Sequence, residues 1–243
     1  MAKCWRRVLF MSPSFRGRSL YWSPKRRVKS LNKHLLAVYA LVVVSIIGLV
    51  VFVRSYPTSD FDLFVTHVIQ EQRAWDPTLL MRSISIFGDA VIAPFPVVIA
   101  ALLFYLSYRR REARFTLAVV FPSLCNFAVK LMINRPRPSL SNVKVFSEFA
   151  ATGFPSGHVV HYVVFFGFLL AVMIVDKSIS LFWRIFVGIL STFLIITVSI
   201  SRIYLGAHWA TDVIGGYLFG FFYLGILLRY YLKEPQFKRP QDG

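Results

Sequence analysis

Cysteine is almost absent from this 243-residue chain: Cys4 and Cys125 are the only two, one near the start and one inside an apolar run. No disulfide framework can therefore staple the fold. Acids are nearly as scarce, with 11 Asp and Glu against 28 Lys and Arg. The first 34 residues hold ten basic residues and no acid, and the last three apolar runs contain one carboxylate, Asp212. No internal repeat, low-complexity tract or second soluble domain is visible. No small-x-small cleavage pattern follows the first apolar run, and the basic opening is far longer than a secretory n-region, so an uncleaved anchor is expected.

Apolar residues are what the chain has in excess. They make up 56% of it, aromatics 16%, and the mean hydropathy is +0.60, too oily for the surface of an ordinary soluble domain. A helix needs about 20 residues to cross a hydrocarbon core. Runs of that order are read at Leu35–Val53, Ala90–Leu106, Phe115–Ile133, His158–Val175, Phe182–Ile203 and Asp212–Tyr231. The expectation is an all-α integral membrane protein, a six-helix bundle at 35–232 between a basic cytoplasmic tail at 1–34 and a cytoplasmic tail at 233–243. Pro94 and Pro96 sit in the first turns of the second run, where proline is tolerated.

The formal charge of +17 and pI near 10.3 would suit nucleic acid, but the basic residues are placed as a topology places them. Twenty of the 28 fall at residues 1–34, in the turn from Arg109 to Arg114, at Lys177 and Arg184, and from Arg229 onward. With six spans these lie on one side, made cytoplasmic by the positive-inside bias. Membrane lipids, not nucleic acid, are the expected partners. The compact size and bare loops suit a bacterial plasma membrane.

Two connections are long, 54–89 and 134–157, and both fall on the outer side. In the first, Phe61, Phe64, Val65, Val68 and Ile69 recur at helical spacing with Asp62, Thr66, Gln70 and Glu71 opposite. This predicts a short amphipathic helix in the interface, packed on the bundle or acting as a lid.

The chemistry lies in three blocks near span ends: Lys130 with Arg137-Pro138, Pro155-Ser156-Gly157-His158, and Ser201-Arg202 with His208 and Asp212. Lys130 and Arg137 end the third span, His158 opens the fourth, Arg202 ends the fifth and His208 opens the sixth, so the odd-even count gathers them at the outer face. Charges at membrane depth are expensive and mark a site. Pro155-Ser156-Gly157-His158 reads as a helix start, with Pro in the first turn, free N–H groups and a positive dipole end suited to an anion; Ser156 adds a hydroxyl. His208 and Asp212, four apart, share a helix face. A carboxylate holding one imidazole nitrogen leaves the other free as a nucleophile.

Together the blocks resemble the type 2 phosphatidic acid phosphatase (PAP2) superfamily, which also includes acid phosphatases and vanadium haloperoxidases. All eleven fixed positions are present in order over residues 130–212, about a third of the chain. The resemblance implies a PAP2 or acid phosphatase-like helical core. It implies that Lys130, Arg137 and Arg202 bind phosphate oxygens with help from Ser156 and the Gly157 N–H. It implies that His208 attacks phosphorus to give a phosphohistidine, that Asp212 orients it, that His158 protonates the leaving oxygen, and that neither metal nor cofactor is needed.

In-line transfer requires little beyond positioning and stabilised equatorial charge. His158 must be protonated while His208 is neutral, which predicts a bell-shaped pH profile. Arg135 lies one step from Arg137 and is either a second phosphate contact or a plain interfacial charge. His161, one turn past His158, invites a metal reading, but two histidines without a carboxylate or thiol do not complete a zinc set; a buried hydrogen-bonding or pocket role is expected. Tyr204 and Trp209 are expected as interfacial aromatics. The function expected is hydrolysis of a lipid phosphate or pyrophosphate at the outer leaflet. The alternatives are a phosphotransferase using the same intermediate, a lipid-phosphate transporter using the pocket for binding alone, and, disfavoured by the membrane setting, a vanadate-dependent oxidase.

Overall fold

The computed structural model describes residues 24–71, 76–146 and 152–234; most of the basic opening tail and the end of the closing one lie outside them. The chain divides at Val38. Of the first unit, the described residues 24–38 form the first part of a helix, α1 (Pro24–Ser55). The second unit holds the rest of α1 and, in order, α2 (Asp60–Gln70), α3 (Thr78–Ser85) with a 3-10 turn at Ile86–Gly88, α4 (Pro94–Leu106), α5 (Arg110–Ala118), α6 (Val120–Ile133), α7 (Gly157–Val175), α8 (Leu181–Tyr204) and α9 (Ala210–Lys233). Among the described residues no strand occurs, in keeping with the all-α expectation.

Among the described residues, five helical stretches are long and apolar enough to cross a membrane: Lys33–Ser55, Arg110–Ile133, Gly157–Val175, Leu181–Tyr204 and Ala210–Lys233. The count of six is thus approximate. The second expected span shrinks to the 13 residues of α4, which begins at Pro94 because proline is accepted at a helix start and rejected further in. At about 1.5 Å per residue, α4 is roughly 20 Å long against a core of about 30 Å. The span Arg110–Ile133 is split into α5 and α6 at Val119, since Pro122 has no N–H for the carbonyl of Ala118.

α7 is the centre. It is apolar on all sides, and Val159–Phe168 are buried without a break, as suits a helix enclosed by others. α8 and α9 pack on it. Close approach of α9 depends on Gly216 and Gly220, a small-residue pair one turn apart. A methyl on Gly220 would sit 2.8 Å from Val163 Cβ, and one on Gly216 would sit 2.8 Å from Val159 Cβ and 3.0 Å from the Ser156 carbonyl oxygen. Gly220→Ala therefore forces the helices apart. We expect it to lower stability by about 1–3 kcal/mol, read as an earlier unfolding midpoint in detergent. The outer sides stay apolar: Phe182, Ile185, Ile189, Phe193 and Ile196 run down α8 exposed, the face a lipid solvent requires.

α2 exists where the spacing predicted it, with its polar side the more deeply buried one. Its polar stripe of Asp62, Thr66 and Gln70 is buried, while Phe61, Phe64 and Val68 face outward. The bundle end offers α2 polar partners as well as an apolar surface, on which Val65 and Ile69 still pack. Gln70 Nε2 donates to the carbonyls of Lys144 (2.7 Å) and Tyr204 (2.8 Å), and its Oε1 accepts from Lys144 N (3.0 Å). These buried bonds tie α2 down and favour packing over a lid. Tyr204 and Trp209, expected at the interface, are also buried, 7% and 1% exposed. Tyr204 stacks on Phe146 with centroids 5.1 Å apart.

Candidate active site

α6 ends at Asn134, whose left-handed backbone (φ 48°) closes the last turn with an N–H bond to the Lys130 carbonyl (2.9 Å). Arg135 precedes a proline and so leaves the helical region, starting an extended Arg-Pro-Arg-Pro segment. Lys130, in that last turn, donates through Nζ to the carbonyls of Thr152 (2.9 Å) and Gly153 (3.4 Å). Arg137 Nη1 donates to the Ala207 carbonyl (3.0 Å). Burial draws the Arg137 guanidinium below its usual range, partly opposed by the Asp212 carboxylate.

Ser156 is the N-cap of α7, with Pro155 one place outside the helix instead of in its first turn. The Ser156 hydroxyl does not cap, is fully buried, and has no hydrogen-bond partner among the described residues. A buried hydroxyl left unspent costs stability unless something uses it. Gly157 lies against Lys130 and Asn126: a methyl there would be 3.7 Å from Lys130 Cε and 3.4 Å from Asn126 Nδ2. His158 Nε2 lies 3.1 Å from Asp89 Oδ1, and this bond is the main cause holding the Asp89 carboxyl below its ordinary range. Gly88 makes room for the ring, since a methyl on it would come within 2.4 Å of His158 Cδ2.

α8 stops at Gly206, whose φ of 65° and approach to the Lys144 carbonyl leave no room for a side chain. The amides of Ala207 and His208 turn back to the Arg202 carbonyl (3.1 and 3.3 Å). α9 then starts, and Asp212 at its third position reaches back through Oδ2 to the Trp209 N–H (3.0 Å), the carboxylate half of a capping box. His208 Nδ1 lies 3.4 Å from the same oxygen without hydrogen-bond alignment, a contact that a shift of a few tenths of an ångström would complete. Arg202, His208 and Asp212 are 2%, 1% and 0% exposed. Burial, and then the charges of Lys130, Arg137, Arg202 and His158, hold the His208 imidazole well below its ordinary pKa. His208 is therefore neutral at neutral pH.

Backbone bonds knit the blocks: Gly153 N donates to the Arg135 carbonyl (2.8 Å) and Ser156 N to the Asp212 carbonyl (3.0 Å). All eight expected site residues thus converge at one end of the bundle, where α6 and α8 end and α7 and α9 begin. The two accessory residues stand differently. Arg135 is 2% exposed, too deeply buried for a plain interfacial charge, and its guanidinium donates to Asp62, Asp212, Thr211 and the Pro57 carbonyl. His161 is buried and stacks on Phe165 (5.6 Å, 22°), with Nε2 lacking a hydrogen bond among the described residues, so it packs more than it bonds. Sequence reading missed Asp62, Asp89 and Asn126. For Asp62 the one available signal was an acid on a helix rich in phenylalanine; Asp89 carried only its place beside a glycine at a span boundary.

The PAP2 superfamily model matches residues 111–236, just over half of the chain. The chain belongs to the PAP2 superfamily. It is 30% identical over 157 residues to phosphatidylglycerophosphatase B of Bacillus subtilis (strain 168), covering 63% of this chain and 72% of that one. To lipid phosphate phosphatase delta of Arabidopsis thaliana it is 28% identical over 151 residues, 57% of this chain but 35% of the longer plant protein. Among solved structures, the transmembrane PAP2 type phosphatidylglycerolphosphate phosphatase of Bacillus subtilis superposes with a TM-score of 0.71 at 20% identity, covering 82% of this chain and 98% of that one. Aquifex aeolicus LpxE gives 0.53 at 21%, covering 69% and 94%. These likenesses bear out the helical PAP2 fold, and with five apolar spans they make this PAP2 member a multi-pass membrane protein.

Proposed function

We propose that this PAP2 protein is a membrane lipid phosphatase that removes a phosphate, or the terminal phosphate of a pyrophosphate, through a covalent phosphohistidine on His208. The observation that carries this reading is a buried, neutral His208 against Asp212, under the charges of Lys130, Arg137 and Arg202 and with the Ser156 hydroxyl unspent. In the proposed first step His208 Nε2 forms the bond to phosphorus while the bond to the lipid oxygen breaks in line. His158 gives that oxygen its proton. In the second step His158 takes a proton from water, which attacks phosphorus and releases inorganic phosphate and free His208. Lys130, Arg137, Arg202, Ser156 and the Gly157 N–H hold the equatorial oxygens, the role metal ions play in other phosphoryl transfers. Asp212 balances the charge that His208 gains. Counting α4 as a crossing, both termini are cytoplasmic and the site opens on the extracytoplasmic face, which we assign to a bacterial plasma membrane.

The test is phosphate release by purified protein from phosphatidylglycerophosphate, phosphatidic acid and undecaprenyl pyrophosphate, with EDTA and His208→Ala arms. Release without an added acceptor, insensitive to EDTA and absent in His208→Ala, is expected. Release that demands a lipid or sugar hydroxyl makes the protein a transferase. Substrate movement that survives His208→Ala without release makes it a transporter.

The depressed His208 pKa gives a signed pH expectation. The nucleophile is lost only as pH falls through its folded value, so the acid limb of kcat/KM lies below about pH 6.5. Removing a neighbouring cation in Arg137→Gln makes the imidazolium less costly and moves that limb upward. An unmoved or downward-shifted limb contradicts the assignment.

A further inference from the structure

Two carboxylates and one guanidinium are sealed behind the nucleophile, none of them more than 2% exposed. Arg135 Nη1 donates to Asp212 Oδ1 (2.5 Å) and to Thr211 Oγ1 (2.6 Å), Nη2 to Asp62 Oδ2 (2.7 Å) and Nε to the Pro57 carbonyl (2.9 Å). Asp62 Oδ1 accepts from Thr211 N (2.9 Å) and Thr211 Oγ1 (2.8 Å), and its Oδ2 also accepts from Ser59 Oγ (2.8 Å). Each nitrogen of the fork donates to at least one acceptor, and the Asp62 carboxylate is saturated. Such a network is worth its desolvation only when complete. Asp212 uses Oδ1 on Arg135 and turns Oδ2 to Trp209 N and His208 Nδ1.

We propose that Asp62 and Arg135 are positioning residues for the nucleophile: Arg135 fixes the rotation of the Asp212 carboxylate, and Asp62 sets how much of its charge Arg135 takes up. With Asp62 present, one guanidinium is shared by two carboxylates, and Asp212 keeps negative charge for the imidazole. Without it, Arg135 answers to Asp212 alone. The same contacts make α2, whose opposite face meets lipid, a structural part of the reaction centre. The other charged and titratable groups around the dyad are Lys130, Arg137, Arg202 and His158, with Asp89 behind His158. All of them are unchanged in the variants below.

This inference rests on the phosphohistidine reading, and the test separates the two. Full-length protein in detergent is assayed on dioctanoyl phosphatidic acid across pH, as wild type, His208→Ala, Asp62→Asn, Arg135→Gln, Thr211→Val and the pair Asp62→Asn with Arg135→Gln. Asp62→Asn should lower kcat by about 100-fold, the scale of a misplaced catalytic group, with KM within about threefold. Removing a negative charge disfavours the imidazolium, so its acid limb should move down by about one pH unit. A mere folding defect scales the rate and leaves the limb where it was, because only folded molecules turn over. The paired variant should lose no more than the worse single change, since the two residues act as one unit. If Asp62→Asn does not fold, Thr211→Val, which keeps both charges and cuts the hydroxyl between them, should lower kcat about tenfold at unchanged KM. Wild-type kcat and an unmoved limb in Asp62→Asn, or wild-type kcat in Thr211→Val where only that variant folds, overturn the proposal. Activity in His208→Ala, or none in the wild type, instead overturns the reading beneath it.

Discussion

His208→Ala should abolish lipid phosphate release, with a loss of about 10⁴ to 10⁶ in kcat, and should leave no covalent phosphoprotein after denaturing quench. His208 is 1% exposed among cations that keep it neutral, and no other imidazole in the site has a buried carboxylate four residues on. His158→Ala separates the roles. As the proposed acid its removal should cost about 10² to 10⁴ on a lipid, whose alkoxide leaves badly. On p-nitrophenyl phosphate, which leaves without a proton, the first step should survive. The second step should then stall for want of a base, so that phosphoenzyme accumulates, acid-labile and alkali-stable as a phosphoramidate is. If His158→Ala shows no accumulation and His208→Ala does, the two imidazoles have exchanged places.

Arg135→Ala should be the most destabilising single change at this end of the bundle. It leaves the Asp62 and Asp212 carboxylates, both 0% exposed, facing each other without the guanidinium between them. Breaking a buried ion pair by removing one partner costs about 3–5 kcal/mol. The expected readout is a much lower unfolding midpoint, recovered in part at acid pH, where a protonated carboxyl relieves the repulsion. Arg137→Ala should behave in the opposite way. Its guanidinium, which donates to the Ala207 carbonyl, is half-buried where that of Arg135 is sealed, so its loss should cost the fold less while KM and the inhibition constant for orthovanadate rise at least tenfold. Both variants lose activity, so a rate alone cannot tell these adjacent arginines apart. Unfolding midpoint and vanadate affinity together can, and a destabilised Arg137→Ala beside a stable Arg135→Ala would reverse their assignment.

Much of this was legible in the chain itself, for identifiable reasons. Membrane helices announce themselves through length and hydropathy because lipid forces every backbone polar group into internal bonds, and so the runs His158–Val175, Phe182–Ile203 and Asp212–Tyr231 coincide closely with α7, α8 and α9. The second run was overestimated because hydropathy continues through Ala90–Ala93, where the chain turns before the prolines set the start of α4. Asp212 was readable because its partner His208 lies one helical turn away, a local relation. Asp62, 150 residues earlier in the chain, had no such relation to Asp212, and Asp89 had none to His158.

The amino-acid order by itself determined that this protein is helical, lies in a membrane, and carries three blocks of the PAP2 pattern at the ends of its spans. Helix length, apolar composition and four-residue spacing are properties of the local chain. Only the tertiary structure decided that α2 turns its polar side inward, that Arg135 is spent on Asp62 and Asp212, and that Asp89 stands behind His158. Those outcomes depend on which polar groups are left uncompensated when distant segments pack together. Burial makes their pairing compulsory, and no short stretch of sequence contains both partners.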